Sequence, residues 1–510
     1  MNQNIKPSYV FWTTVATLLI LGYVSFLLNK KPLEIASITV SLPDPLSVFK
    51  GDIVEYTNID TLIADVLSEL EVDTTKSKTV ISDTAKIIAS NFTADSAISN
   101  ITADSTLKTS SVVTVVKDTV RISESKVKRV VHKLQFPPDR PDLLKVFYEA
   151  LRNETSKRNI RILHYGDSQI EGDRITGYLR HRFQGRFGGS GPGLLFCDKP
   201  IAEHATIIQT ASSDWQRDNV MQKKDTLINS ISYGIMGQTN YFTATPPDKA
   251  MLSYKLSPLS YKTARKYNWC RLFLGQSQFP MDIEVYGRDS LIMKDQIVLD
   301  EPLNIFGFQI DKTPDNIVFN FVSQQSPSFY ALTLDQTVGI TVDNIPWRGS
   351  SGSEFSKIDK ELLNYFFKQL NVRLIIFQFG VNIVPNIVKG YVWYEDLLVK
   401  QLQHLRSAAG DTPIIVIGVS DMSRKKETWY ESYPNIVAIR NAQRNAAFRT
   451  GCAFWDLYEA MGGNNSMPSW VFANPPLANK DFVHFNAKGS RIVSHMLYEA
   501  IMNDFDNQGK

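Results

Sequence analysis

The rhythm of apolar and polar positions divides this chain into stretches of different character. The first is "YVFWTTVATLLILGYVSFLL", Tyr9 to Leu28, twenty residues without a charge. As a helix it would rise about 30 Å, enough to cross a bilayer's hydrocarbon core. Lys6 precedes it, Lys30 and Lys31 follow, and Tyr9, Trp12, Tyr23 and Phe26 are rings suited to the interfaces. No small-x-small cleavage site follows the run, so it is expected to be an uncleaved anchor. The expected topology is single-pass: a cytoplasmic tail at 1–8, a transmembrane helix at 9–28 and the rest extracytoplasmic, in the periplasm or at the cell surface.

Residues 29–137 lack such patterning. "VDTTKSKTVISDTAKIIASNFTADSAISNITADSTLKTSSVVTVVKDTV" is rich in Ser, Thr, Ala, Asp and Lys and has no Trp, Gly or Pro. It can bury little apolar surface, which predicts a low-complexity stalk. "FPPDRPD" closes it. Helical spacing then begins in "LLKVFYEALRN", and "IRILHY" has the continuous apolar character of a buried strand. "ITGYLRHRFQGRF" predicts a helix after that strand. Between 197 and 337 the pattern alternates and is rich in aromatics, as in "NWCRLFLGQSQFPMDIEVYGR" and "NIVFNFVSQQSPSFYALTLD", which predicts an antiparallel sandwich. The helix–strand rhythm then returns. "GITVDNI", "VRLIIFQFG", "TPIIVIGVS" and "CAFWDLY" are expected strands, and "EFSKIDKELLNYFFKQL", "YEDLLVKQLQHLRSAA", "NIVAIRNAQRNAAFRTG" and "GSRIVSHMLYEAIMND" expected helices. The chain thus predicts one α/β domain with a parallel sheet, in two parts at 138–196 and 338–510, interrupted by a β-sandwich at 197–337.

Composition adds mainly exclusions. The 510 residues carry a net charge of +3, which gives no reason to expect a nucleic-acid partner. Cys197, Cys270 and Cys452 have no ligand spacing and indicate neither a zinc site nor a disulfide framework. No motif implies a metal or an organic cofactor.

The candidate chemistry lies in "HYGDSQIEGDRITGYLRHRF", residues 164–183. A serine at the carboxyl end of a first parallel strand stands where such sheets place ligands. A helix amino terminus following it would favour a developing negative charge. A serine hydroxyl needs a base, and the base needs an orienting carboxylate. Of the seven histidines only His484 has an aspartate three residues earlier, Asp481 in "NKDFVHFNAKG". GDS after the first strand and DxxH before the last helix form an ordered set. "IPWRGSSGSEF" falls between them after the second strand, and "FGVN" after the third.

This ordered set resembles the SGNH or GDSL-type esterases over about 137–505. The resemblance implies a flavodoxin-like three-layer domain in which Ser168 attacks an ester carbonyl, His484 is the general base and Asp481 orients it. It implies an oxyanion hole made by the Ser168 N–H, a glycine N–H and the Asn382 amide. Gly349 and Gly352 both suit the glycine block, and Gly349 is favoured by its approach "GITVDNIPWRG". Many relatives carry Asp after the asparagine, where this chain has Ile383, and others carry His where it has Gln169, which makes Gln169 an expected substrate-pocket residue. The inserted sandwich resembles that of peptidoglycan O-acetylesterases and related cell-wall polysaccharide acetyl esterases and transferases. The implied substrate is an O-acetylated glycan. A polysaccharide O-acetyltransferase using the same triad, with a membrane acyltransferase as partner, and a non-catalytic glycan-binding protein are the alternatives.

Overall fold

A computed structural model describes residues 7–30, 33–35, 38–40, 56–59, 133–198, 204–222 and 232–508. Most of the segment expected as a stalk lies outside these residues. The chain divides into two units, residues 1–55 and 56–510. In the first, the helix Pro7–Lys30 contains the run expected as an anchor, and Leu33–Ile35 pairs antiparallel with Ile38–Val40. Among the described residues no helix is long and apolar enough to cross a membrane.

The second unit is built on five parallel strands: β1 (Asn159–Gly166), β2 (Gly339–Pro346), β3 (Val372–Gln378), β4 (Ile414–Ile417) and β5 (Ala453–Trp455). Their spatial order is β2-β1-β3-β4-β5, so the first strand lies inside the sheet and the chain reverses direction there. Helices α1 (Thr176–Phe187), α2 (Lys360–Gln369), α3 (Val392–Ala409), α4 (Ile436–Arg449) and α5 (Ala487–Asn507) cover both faces. That coverage explains why the strands read as unbroken apolar runs. Alternate residues feed opposite cores. Ile160, Ile162, Leu374, Ile376, Ile415 and Ile417 pack on the α1/α5 side. Leu163, Tyr165, Ile375, Phe377, Ile414 and Val416 pack on the α2/α3/α4 side.

Between α1 and β2 the chain forms two antiparallel sheets. One orders Ser290–Ile297, Met281–Gly287, Asn316–Val322, Ala250–Leu256 and Ile207–Ala211. The other orders Asn304–Gln309, Trp269–Leu274, Phe329–Asp335, Gln238–Phe242 and Trp215–Asn219. The alternation in "NIVFNFV" puts Ile317, Phe319 and Phe321 between the sheets, with Leu252, Tyr254, Leu272 and Leu332. Gly193–Leu195, ahead of the expected start at 197, already pairs with Phe329–Asp335.

Two features have no counterpart in the sequence reading. An antiparallel hairpin, Ser423–Lys426 with Trp429–Ser432, follows β4. Residues 56–59, inside the expected stalk, belong to the second unit and pack within it. Ile59 is buried, Thr57 Oγ1 donates to the Asn464 carbonyl, and Ser469 Oγ donates to the Thr57 carbonyl, both at 2.6 Å.

Candidate active site

The β1 strand ends at Gly166, where a Cβ would meet the Gln378 carbonyl at 2.9 Å and the Ile170 side chain at 3.0 Å, so the corner admits only glycine. Asp167 N–H donates to that same carbonyl. The next residue, Ser168, lies at the carboxyl end of the sheet. The expected helix amino terminus does not follow it directly. A short 3-10 turn, Glu171–Asp173, intervenes, with Gly172 at φ 69° and Asp173 at φ 65°, and α1 starts only at Thr176. The turn is fixed from within: Arg174 Nη2 donates to the Ser168 carbonyl, and Arg174 Nε to the Glu171 carbonyl at 2.8 Å.

The DxxH segment forms a tight loop capped by α5. Phe482 adopts φ 58° and its ring stacks on Tyr430, with centroids 3.5 Å apart and planes 11° from parallel. Asn486 caps α5 by accepting from the Lys488 and Gly489 N–H groups. This loop brings the three residues together. Ser168 Oγ lies 2.8 Å from His484 Nε2, and His484 Nδ1 lies 2.8 Å from Asp481 Oδ2. The second Asp481 oxygen accepts from the N–H groups of Val483 and His484, each at 3.0 Å. Burial pushes the Asp481 carboxyl up, but these hydrogen bonds outweigh it and hold the group below its ordinary range, as a carboxylate. A carboxylate on Nδ1 fixes the proton there and leaves Nε2 as an acceptor for the serine hydroxyl.

The oxyanion candidates lie on neighbouring loops. Gly349 is exposed at φ 83°, and a Cβ there would meet nothing. Gly352 is buried at φ 82°, and a Cβ there would stand 2.6 Å from the Phe377 ring. Asn382 is exposed, and its Nδ2 donates to the Ser350 carbonyl at 2.7 Å, which ties the asparagine to the residue after Gly349. Asp167 is fully buried and accepts from the Gln169 N–H at 3.0 Å. Burial raises its pKa to about 6 against the opposing pull of the Gln169, Val381 and Gly380 N–H groups and the charge of His484.

The expectation that Gln169 lines the substrate pocket is corrected. Its side chain is 2 % exposed, and its Nε2 donates to the Val483 carbonyl at 2.7 Å and to Ser420 Oγ at 3.2 Å. Its Nε2 donor is thus spent inside the protein, and its Oε1 is buried. Arg174 was not singled out from the sequence; its only signal there is a basic residue six positions past the serine in a turn that is otherwise acidic. Among the described residues no group of three or more His, Cys, Asp and Glu is placed to hold a metal ion. All three cysteines are buried and free.

Residues 315–492 match the GDSL-like Lipase/Acylhydrolase family. The match holds Gly349, Asn382, Asp481 and His484, while Ser168 lies ahead of it, across the sandwich. Together with this fold, the match supports an SGNH-type carboxylic ester hydrolase resembling the O-acetylesterases. A solved peptidoglycan O-acetylesterase is 20% identical, with a TM-score of 0.57 over 72% of this chain and 96% of its own. An acetyl xylan esterase is 16% identical over 32% of this chain and 81% of its own, TM-score 0.25. A family two carbohydrate esterase from Cellvibrio japonicus is 9% identical over 59% and 98%, TM-score 0.23. No curated protein sequence matches the chain.

Proposed function

We propose that this ester hydrolase removes O-acetyl groups from a cell-wall or surface polysaccharide through an acyl-serine intermediate. The observation that carries the reading is the unbroken Ser168–His484–Asp481 relay, with both contacts at 2.8 Å. In the proposed step His484 Nε2 takes the Ser168 proton as Oγ attacks the acetyl carbonyl. Asp481 stabilises the imidazolium that forms. The Ser168 and Gly349 N–H groups bind the oxyanion together with the second N–H of the Asn382 amide, whose other N–H is spent on Ser350. Collapse expels the sugar alkoxide, which takes the proton from His484. Water then enters by the same route in reverse and releases acetate.

The polysaccharide is supported by likeness of fold to a solved peptidoglycan O-acetylesterase, a likeness that covers 96% of that chain and 72% of this one. The twenty-residue charge-free run 9–28 is the ground for proposing a membrane anchor, and a catalytic unit outside the cytoplasm is part of the same proposal. The test uses the full chain, a small aryl acetate and O-acetylated cell-wall polymer, following acetate release. Ser168→Ala should lower turnover by about three orders of magnitude or more, since triad members act as a unit. A serine-directed phosphonate should label Ser168, read by mass spectrometry. Near-normal turnover by folded Ser168→Ala would sink the assignment. Acetyl transfer to added glycan in place of acetate release would make the enzyme a transferase.

A further inference from the structure

We infer that Gln169 and Arg174 are positioning residues that clamp the main chain on both sides of His484 and so hold its imidazole against Ser168. The inference rests on the hydrolase reading above. The peptide unit joining Val483 to His484 is gripped at both polar ends: its N–H donates to Asp481 Oδ1 at 3.0 Å, and its carbonyl accepts from Gln169 Nε2 at 2.7 Å. On the far side of His484, the Phe485 carbonyl faces Arg174 Nη1 at 3.5 Å, while Nη2 of the same guanidinium donates to the Ser168 carbonyl. Both struts therefore start from the Ser168 turn, one from the residue beside the nucleophile and one six residues on, and end on the two neighbours of the base.

Each strut is anchored at its own end. Gln169 N–H donates to buried Asp167, and its amide also holds Ser420. Arg174 is fixed to its own turn through Glu171. The loop they hold needs holding. Phe482 sits at φ 58°, where a residue with a side chain is strained, so the 481–484 turn keeps its shape only because its surroundings impose it. An imidazole displaced by about 1 Å costs on the order of a hundredfold in rate, although it remains chemically intact.

The experiment compares full-length Gln169→Met, Arg174→Gln and Ser168→Ala with the wild type. Gln169→Met keeps the length of the side chain and removes the amide, and with it the donor to Val483. We expect kcat on an aryl acetate to fall by about 10–100-fold with KM within twofold, and phosphonate labelling of Ser168 to slow by the same factor. The melting temperature should change by only a few degrees. Arg174→Gln should do the same, and it carries the test if Gln169→Met does not fold. A purely structural role would lower stability and leave kcat per folded molecule unchanged, which would overturn the inference. If Ser168→Ala is inactive while both strut variants turn over as the wild type does, the brace alone falls. If Ser168→Ala stays active, the catalytic assignment falls and takes the brace with it.

Discussion

Gly349 and Gly352 have nearly the same backbone twist, φ 83° and 82°, and differ in what a side chain would meet. Alanine at either costs about 1 kcal/mol from the left-handed conformation. At Gly352 the methyl also strikes Phe377 and Phe379, so Gly352→Ala should lose a further 1–3 kcal/mol or so. Gly349→Ala should fold almost normally, because a Cβ there would meet nothing, and should lower kcat through the proposed oxyanion contact. Thermal melts and saturating-substrate rates of the two variants check this; full kcat in Gly349→Ala would remove it from the oxyanion hole. The sequence could not decide between two glycines three residues apart, because exposure at that spacing depends on aromatics arriving from β3. The same limit governs Gln169: a polar side chain beside a nucleophile can face ligand or loop, and only the partner, Val483, tells which. A second residue-scale prediction concerns Asp421, which is fully buried and whose pKa burial raises to about 6 against hydrogen bonds from Ser432, Met467, Met422 and Ser466. A raised carboxyl favours the folded state while protonated. This contribution is present below about pH 4 and is lost as pH rises through about 6, an effect of about 3 kcal/mol. Urea midpoints of the wild type should therefore fall across that window, and Asp421→Asn should flatten part of the slope. Asp167, shifted in the same direction, supplies another part. An unchanged slope in Asp421→Asn would contradict the assignment.

At the scale of elements, the parallel strands and their covering helices are legible because both faces are buried and the runs are long: "IRILHY", "VRLIIFQFG" and "TPIIVIGVS" fall on β1, β3 and β4. What the pattern hides are short pieces whose structure depends on distant partners. The hairpin after β4 has a polar, charged face, "SRKKETWYES", and is ordered by Tyr430 stacking on Phe482 and by Ser423 N–H donating to the Phe482 carbonyl. "YTNI", residues 56–59, looks like part of a stalk because four residues carry no periodicity. Yet Tyr56 reaches Phe472, the Tyr430 N–H points at its hydroxyl, and Ile59 is 4 % exposed. Removing a buried isoleucine side chain costs about 2 kcal/mol or more. Ile59→Ala should therefore lower the stability of the catalytic unit by roughly that amount, and a chain beginning at 60 should be less stable than one beginning at 56. Equal melting temperatures for those two chains would show that the segment contributes nothing.

At the scale of the whole catalytic unit, the question is whether the sandwich is a separable module or part of one body. The sequence suggests a module, since its alternating pattern is foreign to the α/β rhythm around it. The packing argues otherwise. Leu163 and Tyr165 of β1 share a buried cluster with Leu194, Phe273, Tyr330 and Ala331 of the inserted sheets. Tyr165 OH donates to the Ile235 carbonyl and Trp347 Nε1 to the Met236 carbonyl, both at 2.9 Å. Charge crosses the same seam: Arg161 on β1 pairs with Asp343 on β2 at 2.7 Å and with Asp335 at the end of the last sandwich strand, all with fully buried side chains. Arg271 of the sandwich approaches Asp335 at 3.6 Å. Arg161 is the one charge in an otherwise apolar "IRILHY", and it serves partners, Asp335 and Asp343, that the sequence places more than a hundred residues away. Breaking a buried pair by removing one side costs about 3–5 kcal/mol, because the carboxylates left behind cannot be solvated. Arg161→Leu should thus weaken both parts together. Amide protection in peptides from 250–335 and from 372–417 should be lost in one urea transition for the wild type, and in one transition at lower urea for Arg161→Leu. A sandwich that unfolds first, leaving the parallel sheet protected, would make the insert a separate module.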